Sequence, residues 1–198
     1  YVKSHVFTKT ERDYIKNNVI YKKFNASMSL PPVSHRITNS ETTKTIDLNE
    51  IDLNCSHIFI TVLNSKYYDN SKDGVTIFGK AAGYEHGSVS IIDSIDLKIN
   101  GASVYGGEVD SGYIKTISED LKLNNLRKVG NHYILPLASV NFGEDSIALR
   151  RLRNKSLKIT FGKSSVLSVN ELDVNIYVTA VGFRNISYVG GSCSLLLG

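Results

Sequence analysis

The residues able to do chemistry are few, and their spacing does not favour it. Five histidines (His5, His35, His57, His86, His132) show no metal-ligand spacing to one another, and no H-E-x-x-H occurs. Cys55 and Cys193 stand far apart, outside any C-x-x-C and without a neighbouring His to activate them. Two buried thiols in a reducing compartment are the expectation, with a single disulfide as the alternative. Asp93 and Asp96 lie three apart in a strand region, which places them on opposite faces and makes them poor acid/base partners. No G-x-S-x-G elbow is present. Asp69-Asn70-Ser71-Lys72-Asp73-Gly74 opens like a calcium loop, but the twelfth position holds Lys80, so an ordinary turn is expected. Gly162-Lys163-Ser164 echoes the end of a P-loop. The Gly required five positions earlier is Leu157, inside a strand pattern, which excludes nucleotide binding there. Without a nucleophile, a base or a metal constellation, the expectation is a protein that is not an enzyme and holds no cofactor or metal.

The densest basic run is Arg150-Arg151-Leu152-Arg153-Asn154-Lys155. Phosphate contact would use such charges. However, no aromatic stacking platform interleaves with them, so Arg150, Arg151 and Arg153 are expected to serve subunit contact. The net charge of +4 is spread along the chain and does not by itself imply nucleic acid.

The elements that must position these residues read as β almost throughout. The 198 residues, 41% of them hydrophobic, make one domain, or one with an appendage, and exclude a wholly disordered chain. No apolar run approaches the ~20 residues of a membrane-spanning helix; Ile176 to Phe183 comes nearest. The chain starts at Tyr1 with no signal-peptide pattern and reads as a piece of a longer protein. Strands are expected at Val2–Phe7, Val19–Phe24, Thr43–Leu48, His57–Leu63, Val75–Phe78, Ser88–Asn100, His132–Leu137, Leu157–Phe161 and Val174–Phe183. A helix is expected from Thr8 to Asn18, because Thr8 with Glu11 three residues later is a capping-box pattern. A second helical turn fits Ser118 to Asn124. Pro31-Pro32 breaks the chain before a polar surface loop, Thr38 to Lys44, and Asn64 to Gly74 is another. Many short strands and few helices point to an all-β protein. The expected form is an antiparallel jelly-roll sandwich of about eight strands with one short N-terminal helix.

Four stretches then occur in a fixed order. Phe7-Thr8-Lys9-Thr10-Glu11-Arg12-Asp13-Tyr14-Ile15 leads into Val19-Ile20-Tyr21-Lys22-Lys23-Phe24. Lys44-Thr45-Ile46-Asp47-Leu48-Asn49 precedes His57-Ile58-Phe59-Ile60-Thr61-Val62. Asp96-Leu97-Lys98-Ile99-Asn100-Gly101 is followed by Tyr105 and Gly112-Tyr113-Ile114. His132-Tyr133-Ile134-Leu135-Pro136-Leu137, Leu157 to Phe161 and Val174 to Val178 close the series, with Gly190-Gly191 in the tail. Together they resemble the second half of the double jelly-roll major capsid proteins of large DNA viruses and virophage-like relatives. Two departures mark a divergent member: Glu144-Asp145-Ser146 where the family has Pro-Ser-Gly, and Ser103-Val104-Tyr105 after the Asn-Gly turn.

The resemblance implies that residues 1–18 are the last strand of a preceding jelly roll plus a linker helix, and 19–198 a C-terminal jelly roll. It implies homotrimers of pseudo-hexagonal outline that tile an icosahedral shell, located in the virion capsid and assembled inside the host cell, in the cytoplasm. The implied partners are other copies, neighbouring capsomers, and minor capsid or membrane-associated viral proteins, with no sequence-specific nucleic acid. Loops Asn64 to Gly74 and Ala102 to Asp110 would project outward or clasp neighbours. The rival reading is a β-sandwich binding module, a receptor- or glycan-binding minor capsid or spike protein, with Tyr67, Tyr68 and Tyr84 as its candidate aromatic cluster. A cupin-type enzyme would need converging His and Glu ligands that no spaced motif supplies.

Overall fold

The computed structural model describes residues 8–38, 40–65, 91–120, 132–137, 146–162, 171–189 and 192–196. Helix α1 (Lys9–Asn17) opens as its capping box dictates: the Glu11 N–H donates to Thr8 Oγ1 at 3.3 Å, and the Thr8 N–H donates to Glu11 Oε2 at 2.7 Å. The strands follow as β1 (Ile20–Ser29), β2 (Val33–Thr38), β3 (Thr43–Asp47), β4 (Asn54–Asn64), β5 (Ile92–Ile99), β6 (Ala102–Ser103) and β7 (Val109–Asp110). After helix α2 (Ser111–Asp120) come β8 (His132–Pro136), β9 (Ile147–Ala148), β10 (Lys155–Phe161), β11 (Glu171–Val189) and β12 (Ser192–Leu196).

The strands form two sheets, and every described pairing is antiparallel. One sheet runs β1-β11-β4-β8, with β2 and β12 also on β11 and β9 on β4; the other runs β3-β10-β5-β6, with β7 on β5. β1 and β2 behave as one interrupted strand. They pair with the two ends of β11, and the Leu30 N–H between them still donates to the Val178 carbonyl at 3.0 Å. Pro31 and Pro32 fall on this sheet edge, where a missing N–H costs no ladder bond. With β1 and β2 counted together, eight principal strands pair first with last, second with seventh, third with sixth and fourth with fifth. Successive pairs alternate between the sheets. That is one long hairpin rolled up, the jelly roll.

The core lies between the sheets and follows a period of two. On β10, Lys155, Leu157, Ile159 and Phe161 are buried and the residues between them are not. Ile95 and Leu97 of β5 continue that layer, and Ile58, Ile60, Val62, Val174, Ile176 and Val178 face it from the other sheet. The Asn100-Gly101 pair closes the β5–β6 hairpin with both residues at positive φ (52° and 83°), as a two-residue turn requires.

Four sequence expectations need correction. An unexpected strand, β2, precedes the loop expected from Thr38 to Lys44 and takes in Thr38, because Val33, His35 and Ile37 alternate inward and the edge tolerates the prolines; Thr43 and Lys44 already belong to β3. The second helix is α2, which starts at Ser111 rather than Ser118. Its first turn is fixed by the Asp110 carboxylate, which accepts from the Gly112 N–H at 2.7 Å and the Tyr113 N–H at 3.3 Å. Ala102 to Asp110 is not a projecting loop, since β6 and β7 tie it back to β5. β11 is far longer than expected, 19 residues, or about 60 Å of strand at the usual rise. The strands expected at Val2–Phe7 and Val75–Phe78 lie outside the described residues.

Candidate assembly surfaces

The basic run is displayed by a short 3₁₀ turn, Leu149–Arg151, between β9 and β10. Leu149 is buried and anchors it; Arg150 is half-buried, and Arg151 and Arg153 are exposed. Lys155 holds the turn from beneath. Its ammonium is buried and donates to the Leu149 carbonyl at 2.8 Å and the Ile51 carbonyl at 3.0 Å, while its N–H donates to Asn49 Oδ1 at 3.1 Å. Burial lowers the Lys155 pKa, and the carboxylates of Asp52 and Asp47 oppose that shift. The last Lys of the basic run is therefore a structural strut and only the arginines face outward. Lys155→Met, which keeps the apolar stem, should leave two buried carbonyls unpaired. It should lower stability by about 1–3 kcal/mol in a denaturant titration and loosen the arginine turn.

A second surface was not legible in the sequence. From Tyr21 to Asn25 both faces of β1 are exposed, although the strand stays paired to Phe183–Ser187 of β11. Here the seven-stranded sheet runs past the core. Tyr21 (67% exposed), Phe24 and the flanking Val19 and Val189 present apolar area to solvent, next to Lys22. The Lys23 ammonium lies 3.8 Å over the Phe183 ring, and Arg184 donates to the Asp52 carbonyl at 3.2 Å. Helix α1, whose described side chains are exposed, lies against β11. Tyr21 and Phe24, three apart on the strand, fall on opposite faces, so this sheet end exposes an aromatic ring on each side.

The outer faces of the two sheets differ. That of the five-stranded sheet is polar: Thr43, Thr45, Asp47, Ser94, Lys98, Ser156, Lys158 and Thr160 line it by register. There Lys158 Nζ meets Glu108 Oε1 at 2.6 Å, and Ser94 Oγ donates to Glu108 Oε2 at 2.9 Å. The Lys158 hydrogen bond holds the Glu108 carboxyl below its usual range. These groups are exposed, so the network adds little stability. The outer face of the other sheet carries half-buried Phe59, Leu63 and Tyr177 and buried Ile134.

Among the described residues, Cys55, Ser56 and His57 sit together on β4, all buried and engaged in structural hydrogen bonds. The Cys55 thiol is free and buried, donates to the His57 carbonyl at 3.1 Å, and is pushed up to about 12 by burial, which disfavours the thiolate. His57 is buried on β4 with Nδ1 2.9 Å from Ser56 Oγ, and burial lowers its pKa. Tyr105, its hydroxyl donating to the Pro136 carbonyl at 2.7 Å, is pushed up by burial as well. Asp93 is exposed, whereas Asp96 is buried 3.5 Å from Lys98. Among the described residues no three His, Cys, Asp or Glu side chains are placed to hold a metal ion. His5, His86, Tyr67, Tyr68, Tyr84 and the Asp69 to Gly74 run lie outside the described residues.

No family model and no curated protein matches the sequence. Solved structures do match. The capsid chain of the PBCV-1 virus in a quasi-atomic capsid model is similar over 96% of this chain and 54% of its own, at 14% identity and a TM-score of 0.61. PBCV-1 VP54, fitted into a reconstruction of the virophage Sputnik, is similar over the same shares at 13% identity and a TM-score of 0.63. The Faustovirus major capsid protein is similar over 90% of this chain and 36% of its own, at 11% identity and a TM-score of 0.55. The chain thus spans about half the length, or less, of the solved chains it matches. At these identities the likeness establishes the fold: the chain is an antiparallel jelly roll of the kind from which those viral capsid proteins are built.

Proposed function

We propose that the chain is the C-terminal jelly roll of a viral major capsid protein, with a structural role and no chemistry of its own. The observation that carries this reading is the pairing of coverages. A single jelly roll accounts for 96% of this chain but only 54% of the PBCV-1 capsid chain it resembles. In this reading residues 1–18 are the last strand of a preceding jelly roll plus a linker helix, and α1 is that helix. The protein forms homotrimers of pseudo-hexagonal outline that tile an icosahedral shell. It contacts neighbouring capsomers and minor capsid or membrane-associated viral proteins, resides in the virion, and is assembled in the host cytoplasm. Such work needs broad surfaces rather than a pocket. Two surfaces support it: the arginine turn held by Lys155, and the overrunning sheet end with Tyr21 and Phe24.

The experiment is a triple substitution of Arg150, Arg151 and Arg153 by Ala in the native protein. Interface arginines commonly cost more than 1 kcal/mol on truncation, so trimer dissociation should shift by about tenfold or more. Sedimentation across a dilution series reads it. An unchanged oligomer, together with tight, salt-sensitive DNA binding that the substitutions abolish, would reassign the turn to nucleic acid.

A further inference from the structure

His35 is a buried titratable group that lies in neither of the two proposed assembly surfaces. On β2 it alternates with exposed Ser34 and Arg36, so its ring points between the sheets. There it stacks on Phe161 of β10, in the facing sheet, with ring centroids 5.5 Å apart and planes at 24°. This contact spans the sandwich at the corner where the chain leaves β2 in one sheet and enters β3 in the other. Two backbone bonds tie the same corner: the Thr38 N–H donates to the Glu41 carbonyl at 3.3 Å, and the Phe161 N–H donates to the Thr42 carbonyl at 2.7 Å. Nε2 of His35 is buried and has no hydrogen-bond partner among the described residues.

We propose that His35 is an acid-sensitive latch: its neutral ring keeps the β2–β3 corner closed, and protonation opens that corner. A proton on Nε2 creates a cationic donor with no acceptor among the described residues, stacked on an apolar ring inside the sandwich. The charged groups facing it are Lys44 of β3, which repels it, and Glu41 of the turn, which attracts it. Phe161 of β10 and Val174 of β11, its neighbours from the other two elements, carry no charge. Arg36, on the same strand, pairs on the opposite face with Asp173 of β11 at 3.8 Å. Burial is the larger cause that lowers the His35 pKa, Lys44 adds to it, and Glu41 opposes. A histidine lowered in the folded state binds fewer protons folded than unfolded. Its stabilising contribution is therefore complete above the unfolded value of about 6.5 and is lost as pH falls through the lowered folded value. His57, also lowered by burial, acts in the same direction but from β4. Only His35 confines the effect to the corner.

Amide hydrogen exchange of the native protein, corrected for intrinsic rates, tests this at about pH 7.5 and about pH 5. Peptides covering residues 33–47 should exchange about three- to tenfold faster at the lower pH. His35→Phe, which keeps a stacking ring, should abolish that local rise and leave the β4 response. An equal rise in His35→Phe, or no rise in the wild type, overturns the proposal. Should the variant not fold, exchange at the histidine C2 position of the wild type decides. A His35 midpoint below about 6.5 that tracks corner opening supports the latch. A midpoint at or above it overturns the latch.

Discussion

Ile176→Asp should yield no soluble, folded protein. Ile176 is fully buried in the first half of β11, opposite Val33 of β2 on one side and Val62 of β4 on the other, facing the Leu157 and Ile159 layer. A carboxylate there has neither water nor a cation. Removing the isoleucine alone costs about 2–5 kcal/mol, as a large-to-small core change does. Burying an unpaired charge adds several more, which together match the whole 5–15 kcal/mol stability of an ordinary domain. Ile176→Ala supplies the graded version: soluble, folded, and less stable by that first amount in urea. Circular dichroism and solubility after expression read both. An Asp variant with the spectrum and melting profile of the wild type would remove β11 from the core and with it the sheet order.

Gly182→Ala is the second large effect, and it acts through backbone rather than side-chain packing. The register between β4 and β11 shifts at Val181/Gly182, a bulge of the kind that re-aims a strand. At this point the two strands approach so closely that a Cβ on Gly182 would stand 1.8 Å from the Asn54 carbonyl oxygen and 2.8 Å from Cys55 Cα. Both obstacles are main chain, so neither rotates away. A single methyl should cost about 3 kcal/mol or more, at the upper end of overpacking changes. Its effect should also reach the overrunning sheet end, since the bulge sets the direction of everything from Phe183 onward. Thermal unfolding of Gly182→Ala beside Gly112→Ala measures this. Gly112 would meet only the Asp110 carboxylate at 2.8 Å, a flexible side-chain end, and should cost much less. Equal melting temperatures for the two would place the close approach elsewhere.

Much of the fold was readable in the sequence, where pattern and burial coincide. Leu157, Ile159 and Phe161 alternate with polar residues and are buried as expected, and Thr8 with Glu11 forms the capping box its spacing announces. β2 was harder to see, because a proline pair before His35 and Arg36 reads as a loop until the strand is known to be an edge. β11 could not be measured from its own residues; its length is set by β1, β2 and β4, far away in sequence, and by the adjacent β12. The surfaces show the same divide. Arg150, Arg151 and Arg153 stand out as a charge run. Tyr21-Lys22-Lys23-Phe24, by contrast, carries no comparable charge run and no period-two pattern of its own. Nothing in that tetrapeptide reveals that the sheet continues there beyond the opposing layer, so exposure on both faces emerges only in three dimensions. The buried ammonium of Lys155 is hidden for the same reason. Its acceptor carbonyls belong to Ile51 and Leu149, and the turn that brings them together is a tertiary feature.

The proposed role of this jelly roll is assembly with copies of its own protein. The native mass of the purified protein that contains these residues, by mass photometry from nanomolar to micromolar concentration, tests this most directly. The prediction is a trimer whose protomer is about twice the length of this chain, given the 54% share of the PBCV-1 chain that it spans. A protomer no longer than these 198 residues that stays monomeric throughout would contradict it.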